Sequence, residues 1–312
     1  MNRLVGPLAG VVLAAASARA GGPGSAFGDG LRLTNTAWAL GMGGAMAASG
    51  EGVSAVALNP AGVLDGGVTT LHLTHAFYVE KFWEDLFAYS RRLPIGGALG
   101  VSVHGVYDAT TPRTLDDAAG TFAGEAGTFP MGFVVGGAAY AMDFSWLKGL
   151  ARFQPSGGIG LRVMFQQVDH ASWMGVTTDL GVKLHPGGGF TVAGVLQNAG
   201  LAAGPSGLPL QWVTAVAWAH EGLASGHDRL LLEVDSPIAV DLGVSVRTGM
   251  EYRVAFGAVS AAVRGGWKQE VEVPGASGVS GGLGFRWRIG RLPWGLDYAL
   301  VPWGTFGAVH AI

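Results

Sequence analysis

Leu283-Gly284-Phe285-Arg286-Trp287-Arg288-Ile289 reads with a period of two. Leu283, Phe285, Trp287 and Ile289 fall on one side of an extended chain, and Gly284, Arg286 and Arg288 fall on the other. Successive side chains of a strand point to opposite faces, so this stretch predicts a sheet with one apolar and one polar face. The pattern recurs upstream. Over residues 244–253, Val244, Val246, Thr248, Met250 and Tyr252 oppose Ser245, Arg247, Gly249, Glu251 and Arg253. Over residues 176–184, Val176, Leu180, Val182 and Leu184 oppose Thr177, Asp179 and Lys183.

Extending this reading gives about fourteen strands across residues 68–312, many near the roughly 9–11 residues that a tilted transmembrane strand needs. Brief turns follow the even-numbered strands, at residues 94–97, 185–189, 254–256 and 290–293. Longer polar loops follow several odd-numbered ones, at residues 108–129, 198–209 and 268–277. Residues 143–156 are an exception, a long connection on the short side that could hold a small surface helix with Trp146 and Leu150. Alternating short and long connections between an even number of strands are the pattern of a bacterial outer-membrane barrel. Trp83, Trp146, Trp173, Trp267, Trp294 and Trp303 stand near predicted strand ends, where interfacial aromatic girdles lie.

Composition supports the same class. The 312 residues include 54 glycines, only 13% charged residues and no cysteine. Soluble domains average about 25% charge, and disorder requires high charge with low hydrophobicity. No disulfide or cysteine metal site can form. A net charge of -3 leaves no electrostatic footprint for nucleic acid. Residues 1–20, with Arg3, an apolar run and Ala18-Arg19-Ala20, read as a secretory signal peptide. The stretch 186–220, without Asp, Glu, Lys or Arg, is cut by glycines and prolines, so it cannot be one spanning helix. The fold expected is all-β: a transmembrane antiparallel barrel over residues 68–312, with a small N-terminal hatch segment over 21–67 inside it. A soluble secreted β-sandwich is the lesser alternative.

Arg162, Asp179, Lys183, Arg247, Glu251, Arg264, Arg286 and Arg288 stand opposite apolar neighbours. A charge facing lipid at mid-depth would cost about 2–4 kcal/mol, so a barrel would turn these residues into its lumen. There they either pair and stiffen the interior or form a polar route or contact surface for the hatch.

Residues 25–66 do not alternate. They contain Gly41-Met42-Gly43-Gly44-Ala45 and, about fifteen residues later, Asn59-Pro60-Ala61-Gly62. With the ending Leu296-Asp297-Tyr298-Ala299-Leu300-Val301-Pro302-Trp303-Gly304, these stretches resemble the FadL-like outer-membrane barrels, most closely the smaller PorV/PorQ type. The resemblance spans the chain, with specific motifs only at its two ends. It implies a fourteen-stranded barrel whose N-terminal segment folds into the lumen as a hatch carrying Asn59, Pro60 and Ala61. Such proteins usually continue several residues past the position of His310, whereas this sequence stops at Ile312. A last strand that is short, or clipped, is expected.

The residues offer little for catalysis. Gly41-Met42-Gly43-Gly44 lacks the third glycine and the strand–helix setting of a dinucleotide loop. No nucleophile–base spacing is present. His72 and His75, three apart on a strand, point to opposite faces and make no metal pair. A non-enzymatic protein without metal or cofactor is expected, resident in outer-membrane lipid. The resemblance implies passage of hydrophobic small molecules past the hatch, with sideways exit at the glycine-rich 96–105 of the third strand. The alternative it implies is a type IX secretion accessory that binds exported protein cargo through loops such as 108–129.

Overall fold

The computed structural model describes residues 26–312 except 35, 79–80, 205, 270–277 and 291. The expected signal peptide, residues 1–20, and the start of the expected hatch, residues 21–25, lie outside the described residues.

Nearly all the described chain is strand. The strands are β1 Thr69–Phe77, β2 Trp83–Arg92, β3 Ala98–Asp116, β4 Phe122–Asp143, β5 Ser156–Val168, β6 Ala171–Gly187 and β7 Phe190–Ala203. They continue as β8 Gln211–Glu221, β9 Asp228–Ala239, β10, β11 Val259–Lys268, β12 Val279–Ile289, β13 Leu292–Pro302 and β14 Ala308–Ala311. Strand β10 has two parts, Gly243–Val244 and Arg247–Phe256, which pair in succession with the same edge of β9. Each strand is antiparallel to the next, and β14 returns to β1, with Ala76 opposite Ala311. The result is a closed fourteen-stranded barrel. Closure removes sheet edges, leaving few backbone groups without partners.

The period of two sets which side chains face out. On β2, Glu84, Leu86, Ala88 and Ser90 are buried while Trp83, Asp85 and Phe87 are exposed. On β12, Leu283, Phe285 and Ile289 are exposed while Gly284 is buried. The outer wall thus carries a broad exposed apolar surface of Leu, Val, Ile, Phe and Trp. Its polar counterparts face a lumen packed with protein. His72 and His75 indeed part company: His72 is half-buried against Thr74 at 2.9 Å, and His75 on the outer wall meets Asp85 at 2.7 Å.

Three sequence expectations change. Residues 108–129 are not a loop. Beyond Asp108, β3 and β4 pair only with each other, as a two-stranded ribbon that rises past the wall to a turn at 117–121. Polar threonines misled the reading, although Thr is a good strand former. The expected weak point at residues 96–105 is continuous, because β3 pairs with β2 and β4 from Ala98 through Tyr107, and its register shifts begin only after Asp108. The connection 144–155 holds a short 3₁₀ helix, as expected, but at Ala151–Phe153, so it includes neither Trp146 nor Leu150, both of which are exposed. The last strand is short: β14 meets Ala76–Phe77 of β1 and 299–302 of β13.

At the ribbon tip, Asp117 accepts from Thr121 Oγ1 at 2.5 Å, Ala119 N at 2.8 Å and Thr121 N at 2.9 Å. The Thr121 hydroxyl, then the two amides, hold the Asp117 carboxyl below its usual value of 3.8. A depressed acid adds order that is present above the unfolded pKa and is lost as pH falls through the folded one. Acidification below about pH 4 is therefore expected to lower the protection of Ala119 and Thr121, measured against the intrinsic exchange rate at each pH, while the barrel amides stay protected. Residue-resolved hydrogen exchange checks this.

Candidate functional site

The lumen is occupied by the N-terminal segment, residues 26–66. Small residues let it fit: Ala37, Ala39, Ala45, Ala48, Ala55 and Ala61 are all fully or almost fully buried. It enters at the end of the barrel that bears the ribbon. There Phe27 N donates to Gly207 O at 2.8 Å, and Arg32 pairs with Asp241 in the β9–β10 connection. It leaves at the opposite end, where Gly66 leads into β1 and Gly66 O accepts from Arg92 Nε at 3.3 Å. Between these points runs a short helix, α1 Ala37–Gly41, capped by Thr36 Oγ1 on Ala39 N at 3.2 Å. Two 3₁₀ turns follow, Gly52–Ala55 and Pro60–Asp65. Asn59 caps the second by accepting from Ala61 N at 3.1 Å, while its Nδ2 donates to Ala47 O at 2.7 Å. This one fully buried side chain ties the Asn-Pro-Ala-Gly motif to Ala47, two residues past the Gly-Met-Gly-Gly-Ala stretch.

Each motif sits on a pair of wall glycines. Gly249 and Gly266 face each other across β10 and β11. A Cβ on Gly266 would lie 2.0 Å from Gly43 N, and one on Gly249 would lie 2.6 Å from Met42 O. Gly43 and Gly44 turn at φ +66° and +77°, a left-handed conformation that glycine adopts without strain. Gly158 and Gly181 are likewise paired across β5 and β6. Their Cβ atoms would fall 2.4 Å from Pro60 C and 2.0 Å from Asn59 Oδ1. Glycine in a strand marks close approach of another backbone, and here both sides of the contact are known. Gly41 packs its Cα on Gly282, and Gly62 is closed against Gly50 O.

Charge pins the same segment. Asp235 Oδ2 accepts from Met46 N and Ala47 N, both at 3.1 Å, and Glu233 accepts from Ala48 N at 2.6 Å and Ser49 N at 3.1 Å. Four successive amides thus meet two carboxylates that share the inward face of β9, as i and i+2. Lys183 Nζ donates to Gly50 O at 3.1 Å and pairs with Asp65. Arg162 reaches Asp179 at 2.6 Å, Asn198 Oδ1 at 2.6 Å and Leu31 O at 3.4 Å.

A second network lies under α1. Arg264, fully buried, bonds Glu251 at 2.7 Å and Asp297 at 2.7 Å, with its guanidinium 5.4 Å from the centre of the Trp38 ring. Arg286 adds a bond to Asp297 at 2.8 Å and Arg253 one to Glu251 at 2.8 Å. Removing one member of such a pair strands its partners in a dry site, at about 3–5 kcal/mol. Arg264→Met is accordingly expected to lower the melting temperature strongly, whereas exposed Arg288→Met, at the rim of β12, leaves it within a degree or two. Thermal unfolding followed by circular dichroism checks both.

Of the other residues singled out in the sequence, Arg247 is half-buried with its Cδ against Gly44, and Arg288 is exposed and outside the network. Glu51 is exposed on the segment's surface towards the turn end. The surrounding wall nonetheless strips much of its hydration and raises its pKa, against the opposing pull of Arg229, Arg253 and Lys183.

Sequence reading missed Glu233, Asp235, Asp297, Trp38 and the buried Glu84–His104 pair at 2.5 Å. Glu233 and Asp235 were findable, because they alternate with the exposed Leu232 and Val234.

No protein-family model and no curated protein matches the chain. Solved structures do. The Pseudomonas putida toluene transporter TodX superposes with a TM-score of 0.58 at 8% identity, over 89% of this chain and 96% of that one. The CymD monoaromatic hydrocarbon channel gives a TM-score of 0.57 at 11% identity, over 88% and 94%. At such identity the likeness speaks for the fold. The chain has the same closed antiparallel β-barrel fold as these two proteins.

Proposed function

We propose that this barrel resides in the bacterial outer membrane and passes hydrophobic small molecules, with residues 26–66 as the hatch. One observation carries the reading: a segment without strands runs the lumen from end to end, held by discrete contacts rather than by sheet pairing. An apolar outer wall around a lumen filled this way suits controlled passage rather than an open water channel. The structural likeness to a toluene transporter and a monoaromatic hydrocarbon channel supports a small apolar cargo.

Proteoliposomes holding the mature chain are expected to take up labelled toluene faster than empty vesicles, and to show little ion conductance. Deleting residues 26–66 is expected to raise conductance to that of an open pore. Uptake equal to that of empty vesicles, with no conductance change on deletion, would sink the reading.

A second reading, a PorV/PorQ-type secretion accessory, is favoured by the ribbon of β3 and β4, which stands clear of the wall and offers an edge for a protein partner. Co-purification of secretion components with the intact chain, lost on trimming residues 110–128, would support it. Recovery of none from cells that hold that machinery would end it.

A further inference from the structure

Two outward-facing rows cross the wall near the ribbon. One is Phe77, Trp83, Tyr107, Gly132 and Gln167, each opposite the next on neighbouring strands β1 to β5. The adjoining row is His75, Asp85, Gly105, Val134 and Phe165. Over Gly132 the wall has a crevice of about 250 Å³, edged by the outward side chains of Tyr107, Pro130, Val134, Phe165 and Gln167.

The crevice has a local cause. Gly132 carries no side chain and β3 packs close against it, with Tyr107 Cβ 3.1 Å from where a Cβ would stand, while the Tyr107 ring leans towards β2, where its hydroxyl donates to Asp85 Oδ2 at 2.8 Å. His75 Nδ1 holds the other carboxylate oxygen at 2.7 Å, and Trp83 stacks edge-on against Tyr107 at 6.0 Å. An apolar slot therefore abuts a hydrogen-bonded polar cluster on a wall that is mostly apolar. Elsewhere on this wall a carboxylate would face hydrocarbon at a cost.

We infer that this crevice is a binding site for one membrane phospholipid, with an acyl chain over Gly132 and a zwitterionic headgroup against His75, Asp85 and Tyr107. The inference rests on the membrane residence proposed above. The occupant follows from position and chemistry. The slot opens on the face that meets the bilayer, so acyl chain is what fills it. The cluster offers both a carboxylate and an imidazole, which match the cationic and anionic parts of a zwitterionic head.

The test is native mass spectrometry of the full chain released from nanodiscs of dioleoylphosphatidylethanolamine, after insertion has been verified by heat-dependent gel mobility. One retained phospholipid per barrel is expected. Val134→Trp, which fills the slot, should cut retention at least tenfold, and Tyr107→Phe should weaken it. Leu283→Trp, on another part of the wall, should leave it unchanged. A barrel that inserts but retains no phospholipid, retains it equally in Val134→Trp, or holds free oleic acid in its place overturns this inference and leaves the transport reading standing. Failure to insert at all overturns the membrane reading and this one with it.

Discussion

Glu233→Ala with Asp235→Ala is expected to free residues 46–49 from the wall and open the lumen. The two carboxylates accept four successive amides, and Met46 and Ala48 at the contact are fully buried. The contact is buried, so each amide left without an acceptor costs about 1–3 kcal/mol. Even one such amide per carboxylate would total about 4 kcal/mol, roughly a thousandfold in the equilibrium between seated and unseated segment. Amide exchange at Met46–Ser49 should accelerate by about that factor while β1 to β14 keep their protection. Glu233→Gln with Asp235→Asn should fall between, since each amide side chain retains one acceptor oxygen. Unchanged exchange in the double alanine variant would show that the carboxylates hold nothing.

A comparable effect is expected from filling a glycine seat. In Gly266→Val the new Cβ would lie 2.0 Å from Gly43 N and 2.2 Å from Met42 C. Both are backbone atoms, so no rotamer change relieves the overlap. Overpacking by a few methyl groups costs about 1–3 kcal/mol even where side chains can move. The turn at Gly43-Gly44 must leave its seat, and the open-channel current in planar bilayers should rise from near zero to frequent openings. Gly181→Val should do the same to Asn59, whose Oδ1 would be 2.0 Å from the added Cβ. Gly265→Ala is the control, since its Cβ meets nothing within 4 Å although it is the neighbour of Gly266. It is expected to conduct like the parent chain.

The barrel was legible because its rule is local. Alternation at 176–184, 244–253 and 283–289 needs only the chain's own period, and it named both faces. Where the rule is weaker the reading slipped: the threonine-rich 108–116 carries no apolar alternation, so its strand character was hidden. The candidate site was legible in its parts but not in its assembly. Gly41–Gly44 and 59–62 stood out as motifs, yet nothing in sequence pairs Gly249 with Gly266 or Gly158 with Gly181. Those pairs arise from strand register, which a single sequence does not specify at long range. Glu233 and Asp235 show the same limit. Their inward direction could be read from alternation, but not that they meet the amides of a segment 184–189 positions away.

The central claim is that movement of residues 26–66 within the lumen admits a hydrophobic molecule. The parent chain has no cysteine, so a tether can be placed without background labelling. Ala48 of the segment and Ala217 of β8 belong to one buried cluster, with Ala217 opposite Glu233 in register. Ala48→Cys and Ala217→Cys, bridged by a short reducible bismaleimide, would fix the segment to the wall. Toluene uptake by proteoliposomes is then measured before bridging, after bridging and after reduction of the linker. The account predicts uptake that falls to the level of empty vesicles on bridging and returns on reduction. Uptake that proceeds at the same rate through the bridged barrel would contradict it.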